Sequence, residues 1–134
     1  MKALTIKQPW VYAIFREGKD IENRTWQTSY RGWLAIHSAG QPRRGAMYPG
    51  RLLVPDLSTL DYSAVCGVVR LVDIVAKSRS KWFYQPDDGS TNFGWVLADP
   101  IPFDRPIKCK GKLNLWNLPE DIAEEISHML MDVT

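Results

Sequence analysis

Apolar and polar positions alternate along most of this chain in short runs, the two-residue period of β-strands, and helical spacing is confined to two segments. Lys2-Ala3-Leu4-Thr5-Ile6 predicts an opening strand. Gln8-Pro9-Trp10 then starts a short helix, with Pro9 at its first position, where a missing N–H costs nothing, and Gly18 as its stop. From Lys19 to Trp26 the pattern returns to alternation. Ile21, Asn23 and Thr25 point one way and Glu22, Arg24 and Trp26 the other, so Glu22 and Arg24 share a face. Arg31-Gly32 marks a bend before a paired strand, Trp33 to His37, with Leu34 and Ile36 on one face and Trp33, Ala35 and His37 on the other.

The segment from Ser38 to Ser63 breaks the pattern, with three prolines, three glycines and Arg43, Arg44 and Arg51. It predicts a long loop with one helical turn near Leu57. Val65 to Ala76 is the strongest strand signal, a β-branched run interrupted by Gly67, and Phe93 to Leu97 predicts another strand that Pro100 and Pro102 end. Ile107 to Trp116 sets Lys108, Lys110 and Lys112 against Ile107, Cys109 and Leu113, the pattern of a strand with a basic solvated face. After Pro119, the spacing of Ile122, Ile126, Met129 and Leu130 predicts a closing helix with one apolar stripe, laid on the sheet as a lid. Five or six strands with short helices and no βαβ rhythm predict a small mixed β-barrel, α+β and mostly β, with short flanking helices and a C-terminal helix. The expected organisation is one domain over residues 1–134, since the length and the 45% hydrophobic content suit a single core.

Charge sharpens this picture. All 17 Lys and Arg precede Glu120, against 10 acids there, which leaves the body at +7. The last 15 residues carry five acids and no Lys or Arg. A basic body with interleaved aromatics suits a polyanionic partner such as nucleic acid. Cys66 and Cys109 lack CxxC spacing and have no His/Cys cluster nearby, so the expectation is free thiols in a reducing cytosol, with no metal site and no cofactor that the sequence can name. No segment reaches the roughly 20 apolar residues of a membrane span, and the opening strand stands where a signal peptide would. The expectation is a cytoplasmic protein with no membrane association.

The densest polar cluster is Gly18-Lys19-Asp20-Ile21-Glu22-Asn23-Arg24. It resembles the G-K-x-x-E-x-R strand of the ASCH domain family, PUA-like barrels. Ile6-Lys7-Gln8-Pro9-Trp10 resembles that family's [RK]-Q-P-[WY] opening, and Arg31-Gly32 to His37 is similar to its R-G-x-x-x-I-H strand. Gly67 to Ile74, Phe93-Gly94-Trp95 and Leu115-Trp116 also fit, so the resemblance runs to about Pro119. It implies a barrel with a cleft beside the first helix and a role in RNA metabolism. Family members have been linked to RNA binding, ribonuclease activity, hydrolysis of an acylated cytidine and co-activation of transcription. The amidohydrolase members carry K-x-x-T-x-R with the Thr as nucleophile. Glu22 stands at that Thr position here, so only Lys19 and Arg24 match.

Lys19 and Arg24 supply donors for a phosphate or base carbonyl, and Glu22 an acceptor for an exocyclic amine. Trp10 and Trp26 offer faces on which a base can stack, while Trp33, Trp95 and Trp116 are expected in the core. The expected cleft gathers Gln8, Trp10, Lys19, Glu22, Asn23, Arg24 and His37, with Trp26 beside them. Arg31 and the basic loop residues Lys77, Arg79 and Lys81 would hold flanking phosphates. The leading reading is a domain that takes a base of single-stranded RNA, or a nucleotide. Two enzyme readings stay open, with Lys19, Glu22 and His37 as catalytic candidates: a ribonuclease and a hydrolase of a modified nucleoside. A protein-interaction module with its partner on the closing helix is the third.

Overall fold

The computed structural model describes residues 1–50 and 52–133; Arg51, one of the three arginines of the long loop, lies outside them. Its elements in chain order are β1 (Lys2–Ile6), α1 (Trp10–Arg16), β2 (Ile21–Arg24), β3 (Gly32–Ser38), a single 3-10 turn at Leu57–Thr59, β4 (Ala64–Val75), β5 (Phe93–Lys108), β6 (Leu115–Asn117) and α2 (Glu120–Val133). The strands form one sheet in the order β2-β5-β4-β3-β1-β6, curled into a half-barrel. β1 runs parallel to β3, and the other pairs are antiparallel. The predicted fold class holds.

Alternation along the central strands buries both faces of this sheet, because each face has its own helix. Leu4, Leu34, Ile36, Val69 and Leu71 point to one side, where Val11 and Ile14 of α1 join them around Trp95. Their neighbours Ala3, Ala35 and Val68 point to the other, against Trp116, Leu118 and the Ile126 and Leu130 stripe of α2. The stripe read from the sequence is therefore consumed by the sheet. Glu120 and Asp121 sit in the first turn of α2, where negative charge suits the helix dipole.

Three details depart from the sequence reading. β5 does not stop at Pro100 but continues through Pro100, Pro102 and Pro106 to Lys108. Beyond Val96 only β4 flanks it, and its register against β4 slips between Val68 and Arg70 and again between Val65 and Gly67. A proline at a one-sided, bulged strand removes no ladder bond that the sheet needs. The expected strand from Ile107 to Trp116 is instead the end of β5, an irregular turn and the three residues of β6, with Asn114 at φ 59 and Leu113 fully in solvent. Pro9 caps α1 from just outside the helix instead of occupying its first turn.

Gly67 sits where three elements converge. A Cβ there would lie 2.5 Å from the Ile101 carbonyl oxygen and 2.6 Å from the Phe15 ring, so the β4–β5 bulge and α1 close together only over a bare backbone. Gly67→Ala should therefore destabilise the fold by about 1–3 kcal/mol, the usual cost of overpacking. Urea unfolding would show this as a lower midpoint at unchanged slope.

Candidate functional site

Local chain geometry puts Lys19 inside the protein. Gly18 takes a positive φ of 74° after α1, a conformation open to glycine, and turns the chain so that the Lys19 amide bonds back to Ala13 O at 3.0 Å. The chain then enters β2 on the outer edge of β5. The Lys19 side chain is only 3% exposed; its Nζ donates to the Ile21 carbonyl and to Glu22 Oε1, the latter at 3.1 Å. Glu22 Oε2 accepts from Arg24 Nε at 3.0 Å and from Nη2 at 2.9 Å. Arg24 Nη2 also reaches Thr5 O at 3.1 Å, tying this cation–carboxylate–cation chain to β1. Burial of three charges is tolerable only because each meets an opposite charge or a carbonyl.

Lys19 and Glu22 line a cavity of about 430 Å³ and are nearly closed off from solvent, at 4% and 7% exposed as whole residues, which sets them at its inner end. Its walls are aromatic: Trp10 at the start of α1, Tyr48 from the long loop, and Trp82, Phe83 and Tyr84 from the loop between β4 and β5. Tyr48 packs against Trp10 (centroids 5.7 Å apart) and edge-on to Trp82 (5.4 Å), and its hydroxyl donates to Pro9 O at 3.1 Å. Lys19 Nζ lies 5.8 Å from the Trp10 ring and Lys81 Nζ 5.9 Å from Trp82, so a cation stands beside each of these two rings. Tyr84 leaves 59% of its surface in water at the rim.

Asn23 holds the outer wall in place. Its Nδ2 donates to Trp82 O at 2.9 Å, while its Oδ1 accepts the Tyr84 amide at 2.9 Å and Asn92 Nδ2 at 3.0 Å. Ser80 Oγ donates to Asp20 Oδ1 at 2.5 Å, a second tie between the same loop and the approach to β2. The short strand that carries Lys19's partners thus also clamps the aromatic loop over them.

Of the residues expected in the cleft, Trp10, Lys19, Glu22 and Asn23 line it, joined by Lys81, which was expected to hold a flanking phosphate. Arg24 stands behind Glu22. Gln8 lies elsewhere, its amide spent on Asp61 O and on the Tyr12 amide that starts α1. Trp26 sits edge-on to Trp95 at 4.8 Å and packs into the core. Arg31 donates to Thr28 O and Tyr30 O in an exposed turn, and Lys77 and Arg79 are exposed on the aromatic loop without reaching the cavity. Trp95 and Trp116 are core residues as expected, whereas Trp33 is only half-buried, with Arg70 over its ring at 4.8 Å. Met47, Tyr48 and Pro49 were read only as loop. The Trp82-Phe83-Tyr84 run was a visible signal for the opposite wall; Tyr48 had none beyond its place in a long loop.

His37 is also outside the cleft, beside a separate cavity of about 370 Å³ that Thr5, Ser63 and Gly111 line. Its Nε2 donates to Cys109 O at 2.6 Å. Nδ1 therefore accepts from Thr5 Oγ1 at 3.2 Å, which in turn accepts Trp116 Nε1 at 3.0 Å. The network holds a neutral imidazole, and burial pushes its pKa below the ordinary 6.5 against the opposing pull of the Cys109 bond. Among the described residues no group of three or more His, Cys, Asp or Glu side chains could hold a metal ion, and no helix is long and apolar enough to cross a membrane.

The chain shares the fold of ASCH proteins. The ASCH protein of Zymomonas mobilis and a point variant of it superpose with TM-scores of 0.62 at 13% and 14% identity, covering 96% of this chain and 94% and 96% of theirs. In sequence, the chain is similar to Activating signal cointegrator 1 of Mus musculus, 25% identical over 146 residues, which takes in 96% of this chain. The chain spans about a quarter of that protein's length, 24%. No protein-family model matches the sequence.

Because the pKa of folded His37 is depressed, its contribution to stability is complete above about 6.5 and is lost as pH falls toward the folded value, where only the unfolded chain gains a proton readily. Urea midpoints should drop between pH 7.5 and 5.5 in the wild type and drop less in His37→Gln. Equal slopes in the two proteins would remove His37 as the source.

Proposed function

We propose that this chain binds single-stranded RNA, or a nucleotide, by seating one base between the aromatic walls of the cleft while its basic loops hold the flanking phosphates. One observation carries the reading: a cavity of nucleotide size, walled by Trp10, Tyr48, Trp82, Phe83 and Tyr84, ends on a buried ammonium–carboxylate pair. Aromatic faces take unpaired bases through stacking, and a few fixed polar groups at the inner end orient what enters. Lys81 at the rim and the exposed Lys77 and Arg79 beside it suit phosphate. The fold shared with ASCH proteins supports a nucleic-acid role, and the two cysteines, both free, suit a reducing, cytoplasmic setting. The buried Cys66, its thiol pushed up to about 12 by burial, fits that setting as an inert side chain.

A hydrolase on the same cleft is the second reading, favoured by Lys19 Nζ standing 3.1 Å from a carboxylate at the cavity's inner end. The ribonuclease reading that shares acid and base work between Lys19 and His37 has no such geometry behind it, since the two line different cavities. A partner on the closing helix has less support too, because the stripe of α2 packs on the sheet.

Quenching of tryptophan fluorescence by short single-stranded RNA should report binding that weakens as salt rises, through release of condensed cations. Tyr84→Ala and Trp10→Ala should each cost about 1–3 kcal/mol of affinity. Undetectable or salt-insensitive binding in dilute buffer counts against the proposal. Turnover of RNA or of acylated cytidines by the wild type, cut by about 10²–10⁴-fold in Lys19→Ala, would put the hydrolase first.

A further inference from the structure

The polar groups of the cleft are unequally committed, and the imbalance says which edge of a base fits. Glu22, the one carboxylate among the described residues of the lining, already takes three contacts, one from Lys19 and two from Arg24. Asn23 Oδ1 already accepts two bonds, from the Tyr84 amide and from Asn92. The donors are less used. Lys19 Nζ has three hydrogens and spends two, on the Ile21 carbonyl and Glu22; Asn23 Nδ2 has two and spends one, on Trp82 O. Two cationic side chains share one carboxylate, so positive charge is in excess at the inner end. A ligand reaching it meets spare hydrogens and positive charge.

A base that enters between stacked walls with its sugar and phosphate left at the rim puts the ring position opposite the glycosidic bond deepest. In uracil and hypoxanthine that position bears a carbonyl oxygen; in cytosine and adenine it bears an amine. We infer that the cleft selects bases with a carbonyl at this position over their amino counterparts, with Lys19 Nζ donating to the carbonyl oxygen. An amine there would face the ammonium hydrogen to hydrogen and leave a buried charged donor unpaired, the mismatch that polar sites reject most strongly. The inference rests on the base-in-cleft reading and adds the substrate class to it.

The test uses the whole protein and a seven-nucleotide RNA backbone that is abasic except at the central position, which carries uracil, cytosine, hypoxanthine or adenine, with a fully abasic strand as reference. Each pair differs chiefly in the oxygen or amine at the deepest position. The expected result is uracil over cytosine and hypoxanthine over adenine, each by about tenfold or more. Equal affinities within both pairs, or the reverse order in either, overturn the inference while leaving the base-in-cleft reading in place, provided all four bind more tightly than the abasic strand. If no base adds to the abasic affinity, the base-in-cleft reading itself fails and this inference falls with it.

Discussion

Everything at the cleft depends on the buried chain from Lys19 through Glu22 to Arg24. Removing ionised groups from water costs several kcal/mol each even after relaxation, so such a chain persists only where geometry satisfies nearly every polar atom. Here Glu22 lies between its two cations, and the remaining donors find Ile21 O and Thr5 O. The arrangement uses one side chain from the turn after α1, two from β2 and a carbonyl from β1. It therefore fixes the helix, the edge strand β2 and β1, near the sheet's other edge, relative to one another, and it leaves a charged floor where an apolar one would pack as well. Replacing such a chain with hydrophobic residues is often neutral for stability, which makes its presence here more informative about binding than about folding.

The walls over that floor come from parts of the chain far apart in sequence, and each is anchored to an element beneath it. Tyr48 is held by its hydroxyl bond to Pro9 O and by its packing on Trp10 and Trp82. The aromatic loop is held by Asn23 and Asp20. Loops alone position side chains loosely, but a loop tied through several hydrogen bonds to a strand inherits the strand's precision. The four residues of β2 thus serve alternately: Glu22 and Arg24 build the charged floor, and Asn23, between them, holds the wall.

How much of this was legible follows from which interactions are local. Period-two alternation showed β1, β3 and the shared face of Glu22 and Arg24, and a β-branched run showed β4, because both signals lie in a strand's own sequence. The stripe of α2 was visible for the same reason. The continuation of β5 through three prolines was not, since it depends on which neighbour flanks the strand after Val96 and on bulges that only the pairing reveals. Lys110 and Lys112 alternated as a strand would, yet the chain turns there, with the exposed Leu113 at odds with any apolar face. Tyr48 was invisible because its role comes from long-range packing that no local pattern encodes.

The motif residues also divide in a way that spacing cannot show. Gln8, Arg24 and His37 belong to the same recognisable strings as Trp10, Lys19 and Glu22, but only the second set lines the cleft. Gln8 starts a helix, Arg24 props a carboxylate, and His37 pins the turn after β5 through Cys109 O. A polar residue in a small, doubly covered sheet must find partners wherever it is buried, so a motif of buried polar residues records two demands at once. One is the satisfaction of the fold's own hydrogen bonds. The other is the presentation of donors to a ligand, and only a residue with capacity left after the first can meet it. By that criterion Lys19, buried yet with a hydrogen to spare, is the residue in these strings best placed to touch what binds.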